Sequence, residues 1–325
     1  VPDGTYRGRD VVEVSSDDEL VIEVALTFRG GSVEVDFSGT SPSRAGPMNL
    51  ARPTTETAVF LAFKHLFPEI PINGGCFRPF TFRFPRGCFV AADWPNAVGG
   101  YSESAQRVAD AMFAALAKAL PELACGASYG TGGTLTFSGH REDGSFFAGM
   151  FPMAGGYGGS NGSDGLVHGA LPIGLSQFAK LEASEHDFPI RWDALEIRPD
   201  SAGKGRWRGG PGSVFRFRTL VPMTVSFLGD RARHGPFGVV GGGAAARTEI
   251  AVTTKHGLVG GPGVSQIKGA KLEPGDSVEM KSAGGGGYGP SSKRDPAATT
   301  ADIADGIIAG QPAAQAAPSP GLPTA

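Results

Sequence analysis

Sulfur is scarce in this chain. Its 325 residues include three cysteines, Cys76, Cys88 and Cys125. The number is odd and no C-x-x-C occurs, which excludes a paired disulfide framework and a zinc ribbon. Such thiols are by default small buried hydrophobes, and a reducing, cytoplasmic setting is the expectation. Charge is thin too: 19% of residues are Asp, Glu, Lys or Arg, and the formal net charge is −3. No basic stripe stands out, so nucleic-acid binding is not expected. No apolar run approaches the roughly 18 residues of a membrane span, so no membrane partner is expected either. The opening VPDGTYRG has no initiating Met and no charged-then-apolar leader, so the expectation is a part of something longer without a signal peptide.

Several chemical signatures are absent as well. No G-x-S-x-G occurs, so a nucleophile elbow has no support. The histidines (His65, His140, His168, His186, His234 and His256) are scattered. None lies in an H-E-x-x-H. Asp164 with His168 is the nearest approach to a metal pair, but a structural site wants three or four converging ligands; no metal is assigned to this chain. Gly284, Gly286 and Gly289 satisfy G-x-G-x-x-G, yet Pro290 and SSKRDP follow where a dinucleotide site requires a helix. GKGRW at 203–207 lacks the Lys-Ser/Thr ending of a P-loop, so this chain alone is not expected to bind ATP by that route.

Glycine, by contrast, is abundant, at 51 residues. It is densest in AGGYGGSNGSDG (154–165), DSAGKGRWRGGPG (200–212) and SAGGGGYGP (282–290). Glycine loses more backbone freedom on folding than any other residue. Clusters of it therefore mark places where main chain must turn sharply or come very close to something. The expectation is that Gly155, Gly156 and Gly158, with Gly284, Gly285, Gly286, Gly287 and Gly289, press main chain against a ligand or a neighbouring subunit.

Between these clusters the pattern is mostly β. Alternating runs at 20–28 and 32–37, joined by Gly30-Gly31, read as a hairpin. Residues 54–67 predict a helix, capped by Thr54 or Thr55, with Val59, Phe60, Phe63, Leu66 and Phe67 on one stripe. A β region is expected over 77–91. Residues 103–120 give the clearest helix, capped by Ser102 or Ser104 and ended by Pro121. A hairpin is expected over 134–151, and strands at 213–219, 222–228, 247–253 and 277–281. The reading is a β-rich α+β fold: a mixed α/β part over 1–190, a mainly antiparallel β part over 191–298, then 299–325. That last stretch predicts a short helix, with Ile303 and Ile307 inward, and a disordered Pro/Ala tail.

Polar residues within the unusual strings are the site candidates. Asp200 and Ser201 offer oxygens. Arg206 and Arg208 alternate around Trp207, so in a strand both guanidiniums face one side and form a fork for a carboxylate. The internal alternative is an ion pair of Asp200 with Arg206 or Arg208. Asn49 carries a donor and an acceptor suited to an amide, or it closes its own loop.

Taken in order, PDGTYRG (2–8), VDFSGTS (35–41), GPMN (46–49), PINGGCF (71–77), QRVADAMFAALAKALPE (106–122), GGYGGSNGSDG (155–165), DSAGKGRWRGGPG (200–212), GDRARHGPFGVVGG (229–242) and SAGGGGYG (282–289) resemble the hydantoinase B/oxoprolinase family. The stretch LSQFAKLE at 175–182 departs from its pattern, keeping only Leu181-Glu182. The resemblance implies an ATP-dependent system that opens cyclic amides such as 5-oxoproline and N-methylhydantoin. A hydantoinase A-type partner would bind ATP and Mg and phosphorylate the substrate oxygen. A divalent metal would belong to an N-terminal region with no match here. Within the matched strings the candidates are Asp36, Asn49, Gln106, Arg107, Asp164, Asp200, Arg206 and Arg208. Relatives that carboxylate acetone or acetophenone supply a second reading, and a non-catalytic assembly module a third.

Overall fold

The structure is a computed structural model that describes residues 1–15, 17–171, 173–174 and 180–310. The alternating N-terminal runs form β1 (Gly4–Glu13), β2 (Glu19–Arg29) and β3 (Ser32–Asp36), all antiparallel. Gly30 and Gly31 make the turn with φ of 55° and 83°, values that β-branched residues cannot adopt without strain. The helix α1 (Arg52–Leu66) then crosses over to β4 (Phe80–Arg83), which lies parallel to β3, as a parallel pairing requires a long connection. A second helix, α2 (Tyr101–Ala119), packs against α1, β1 and β2. Alternate residues of β2, Leu20, Ile22, Val24 and Leu26, meet Val59, Val108, Met112 and Leu116 in one core.

The rest of the described chain is β-rich. It runs β5 (Thr134–His140), β6 (Phe146–Phe151), α3 (Leu181–Asp187), β7 (Ile190–Ile197), β8 (Ser213–Thr219), β9 (Met223–Leu228), β10 (Glu249–Thr254), β11 (Gly257–Gly261), β12 (Gln266–Leu272), β13 (Ser277–Lys281) and α4 (Pro296–Ala304). Two antiparallel sheets result, ordered β12-β9-β5-β6 and β11-β10-β13-β8-β7. They share a second core built on Phe137, Phe151, Phe215, Phe217, Val225 and Val278. The fold is α+β and β-rich, as expected. The expected boundary near 190 does not coincide with a sheet boundary, because the β5–β6 hairpin pairs with β9 from beyond it.

Local expectations shifted where tertiary contacts claimed the residues. α1 starts at Arg52 behind Ala51, with no side-chain cap and Pro in its first turn, where the missing N–H costs nothing. Thr55 is buried and gives its hydroxyl to the Val90 carbonyl instead. α2 follows Gly100, again without a side-chain cap, and Ser104 donates to the Met48 carbonyl at 2.5 Å. Phe60 is half-buried and stacks on Phe77 at 4.1 Å, outside the fully buried stripe. Of 77–91 only Phe80–Arg83 is strand. At the C-terminal end, α4 stops at Ala304; Ile307 is buried but Ile303 is 43% exposed. The inward residue of α4 is Asp302, drawn in by two arginines. The Pro/Ala tail from 311 and most of LSQFAKLE lie outside the described residues.

Candidate functional site

The three glycine clusters converge. Gly156 N donates to Ala283 O (3.2 Å), Gly159 N to Gly286 O (2.9 Å), Gly210 N to Tyr157 O (2.8 Å) and Gly285 N to Gly210 O (2.9 Å). Gly203 N reaches Gly285 O at 2.9 Å, and Gly286 N and Gly287 N reach Ala127 O (2.8 Å) and Gly243 O (2.9 Å). These segments lie outside helix and strand, so their amides are satisfied by neighbouring loop main chain and, at Arg208 and Gly212, by side-chain oxygens. Their spacing leaves no room for a side chain. A Cβ on Gly158 would sit 1.8 Å from Gly126 O, and one on Gly209 1.7 Å from Gly285 O. Gly284 faces Ser201 O at 2.2 Å in the same sense. Gly155 lies against the Tyr129 ring, with its N–H on Gly169 O at 3.1 Å. Gly289 has φ 71° and donates to Val239 O at 3.1 Å. Within the chain these glycines press against other main chain and, at Gly155, against the Tyr129 ring.

Around this core the candidate polar residues take structural posts. Asp164 accepts Arg208 N (2.8 Å) and both Arg294 Nη1 (2.8 Å) and Nη2 (2.9 Å), a bidentate pair that holds its carboxyl below the usual range despite partial burial. Arg294 Nη2 and Arg208 Nε then donate to the two oxygens of Asp302, at 2.6 and 2.7 Å. Four side chains thus clamp α4 onto the glycine core. Asp302→Asn is expected to loosen this clamp, because a half-buried guanidinium loses its counter-charge. Amide exchange across Pro296–Ala304 should rise at least about tenfold, with β8 unchanged; uniform protection would refute the clamp.

The expected Arg206–Arg208 fork does not form. Arg206 is exposed and lies over the Trp207 ring at 5.9 Å, while Arg208 turns to Asp302. The segment touches its neighbour only as a bridge from Trp207 to Tyr288, so strand alternation does not apply. Neither arginine pairs with Asp200, which sits at φ 56° and accepts Ala309 N at 3.2 Å. Asn49 closes its own loop: Nδ2 lies within 3.0 Å of the carbonyls of Arg44, Gly46 and Ala97, and Oδ1 accepts Arg44 N. Asp36 accepts Ser38 N at 2.9 Å and ends β3. Asp164 and His168 do not meet, His168 Nδ1 lying 2.8 Å from Ser213 Oγ. Among the described residues no group of three or more His, Cys, Asp or Glu is placed to hold a metal ion.

Gln106 and Arg107 lead to a buried network of charged side chains. Glu103, Arg107 and Asp110 lie on one face of α2, at spacings of four and three, and all are buried. Arg107 donates to Asp110 (2.6 Å), Asp10 (3.4 Å) and the Gly130 carbonyl, and lies 3.8 Å from Asp230. Arg231, at φ 65°, donates to Asp10 (2.9 Å) and Asp110 (2.9 Å). Glu103 accepts Thr131 Oγ1 (2.5 Å) and Gly132 N (2.9 Å). Glu13 accepts the amides of Ala232 (3.1 Å), Arg233 (2.8 Å) and His234 (3.0 Å). Gln106 Nε2, buried beside them, has no partner among the described residues. Four carboxyls, Asp10, Glu103, Asp110 and Asp230, are buried with two guanidiniums, so full ionisation would bury two unbalanced charges. Burial pushes Glu103 up to about 7, against its hydrogen bonds, and Asp110 up to about 8, against Arg107. Burial raises Asp10 and Asp230 as well. The network joins β1 and α2 of the first core to the 229–234 loop that follows β9.

A family model, Hydantoinase B/oxoprolinase, matches residues 1–291. The chain belongs to the hydantoinase B/oxoprolinase family. It is 28% identical to a Pseudomonas sp. (strain NS671) protein named as the B-type subunit of a D-/L-hydantoinase, over 95% of this chain and 54% of that protein. It is 30% identical to 5-oxoprolinase 1 of Arabidopsis thaliana, over 84% of this chain and 21% of that one. The solved ATP-dependent caprolactamase from Pseudomonas jessenii shares the fold, with TM-score 0.83 and 21% identity over 95% of this chain and 55% of that chain. A nucleotide-free acetone carboxylase does so too, with TM-score 0.80 and 19% identity over 95% and 48%. The chain therefore spans about half, or less, of these relatives.

In this hydantoinase B/oxoprolinase chain open space lies beside the glycine core. A cavity of 430 Å³ separates His65 and Phe113 from Tyr157 and Ser160, and one of 710 Å³ runs under α4 past Lys204 and Arg208. A third, of 240 Å³, lies at the α1 end of the first sheet, and six of its fifteen lining residues are phenylalanines. Sequence reasoning missed Asp10, Glu13, Glu103, Asp110, Asp230, Arg231, Arg294 and Asp302. A signal existed for one group only: three charged side chains on the helix face that also carries core residues. No helix among the described residues is long and apolar enough to cross a membrane.

Proposed function

We propose that this chain is a portion of the B-type subunit of an ATP-dependent cyclic-amide hydrolase. Its ATP and Mg chemistry would lie on a hydantoinase A-type partner, and its divalent metal on residues outside this chain. The described residues fit neither group: they have no cluster of three or more metal-ligating side chains, and the sequence has no P-loop. The carrying observation is the family match over 1–291, together with relatives named as hydantoinase subunit and 5-oxoprolinase. A lactam carbonyl is a poor electrophile, and phosphorylation converts its oxygen into a leaving group before water adds. This chain would contribute a rigid wall to that reaction.

The test is reconstitution of the whole B-type subunit with its A-type partner. ATP-dependent ring opening of hydantoin, 5-oxoproline or a plain lactam, with stoichiometric ADP, is the expected result. ATP turnover that depends instead on bicarbonate and a ketone would move the assignment to a carboxylase. No turnover with any of these substrates would leave an assembly role.

A further inference from the structure

We propose that the 430 Å³ cavity beside the 157–161 segment binds an uncharged cyclic amide and disfavours the same ring carrying a carboxylate. The proposal rests on the cyclic-amide reading above and narrows it. The cavity's volume suits a small ring. One wall is apolar, made by Leu66 of α1 and Phe113 of α2, both buried. The opposite wall comes from main chain around the bridge between Cys125 and Ser160.

That wall carries two unused donors. The hydroxyls of Ser128 and Ser160 line the cavity, and neither has a hydrogen-bond partner among the described residues. Ser128 is only 6% exposed, so the cavity is its outlet. A ring carbonyl supplies the acceptor these hydroxyls lack. Acceptors for a ring N–H are also at hand. Asn161 engages one oxygen of Glu122 at 3.0 Å and leaves the other free. His65 Nδ1 lies 2.8 Å from the Leu61 carbonyl, an acceptor, so Nδ1 donates there and Nε2 is the ring nitrogen left unengaged.

Charge decides the class. Among the described residues no Lys or Arg lines this cavity, and Glu122 is its one carboxylate. A carboxylate on the ring therefore meets a like charge without a counter-ion. The cavity under α4, lined by Lys204, Arg208 and Arg294, differs in this respect.

The probes are 2-pyrrolidinone and 5-oxoproline, which share one lactam ring and differ by a carboxylate. Saturation-transfer NMR on the full chain should show 2-pyrrolidinone binding at least about tenfold more tightly. Ser160→Phe should abolish that binding. Glu122→Gln, an exposed and conservative change, should narrow the gap chiefly by improving 5-oxoproline. Equal affinities, no binding of 2-pyrrolidinone, or a gap untouched by Glu122→Gln each overturn the proposal, even where Ser160→Phe fails to fold. Turnover of lactams by the reconstituted enzyme with no response to Glu122→Gln sinks the cavity and spares the hydrolase. Discriminating binding without turnover does the reverse.

Discussion

Gly209→Ala is expected to destabilise the protein by about 3 kcal/mol or more, at the upper end of overpacking costs. The added methyl would sit 1.7 Å from Gly285 O and 2.3 Å from its carbonyl carbon. Both are main-chain atoms, so no rotamer change relieves the clash. Relief requires the 282–290 segment to move, and that segment also holds Gly156, Gly203 and Trp207 through hydrogen bonds. Gly74→Ala is the matched control. Nothing lies within 4 Å of its Cβ and its φ is not in the left-handed region. It should be neutral or stabilise by up to about 1 kcal/mol through the unfolded state. Urea unfolding midpoints of the two variants decide the matter. If both shift alike, the crowding is not what keeps glycine there.

Arg107→Met is expected to cost about 3–5 kcal/mol, the usual penalty for orphaning buried charges. The same network predicts a pH dependence whose sign follows from its raised carboxyls. Glu103 is raised from 4.5 to about 7 and Asp110 from 3.8 to about 8. Between those limits the folded protein holds protons that the unfolded chain has released. Stability is therefore full below the unfolded values, falls as pH climbs from there to about 7 to 8, by up to about 1.4 kcal/mol per pH unit for each carboxyl, and levels off above. On the acid side Asp164 and Glu279, both held low by cationic partners as they sit partly buried, lose their contribution as pH drops below the ordinary carboxylate range. The optimum should lie close to the ordinary carboxylate range, at about pH 4 to 5. Glu103→Gln should flatten the alkaline limb, since an amide side chain does not ionise. A wild-type profile flat from pH 5 to 9 would falsify the assignment of buried, proton-holding carboxyls.

The charged network and the glycine core are separate parts of one framework. The network joins α2 and β1 to the 229–234 loop. The glycine core joins the 154–165, 200–212 and 282–290 segments, with 126–127 and 243, into one block. The 430 Å³ cavity opens beside the glycine core, against Gly126, Tyr157 and Gly158.

The Gly30-Gly31 hairpin, α2 and the strands at 213–219 and 277–281 could be read from residue order, because alternation and 3.6-residue spacing are local properties. Helix starts were less legible. Ser104 and Thr55 look like caps, but each spends its hydroxyl on a carbonyl distant in sequence. Sequence alone settled that the glycines need close approach, that the fold is β-rich and which family the ordered strings resemble. What the glycines approach, where Arg208 turns and why Glu103 shares a buried face with Arg107 were decided by segments far apart along the chain. Steric exclusion and charge compensation act between atoms brought together only by folding, and no local pattern encodes them.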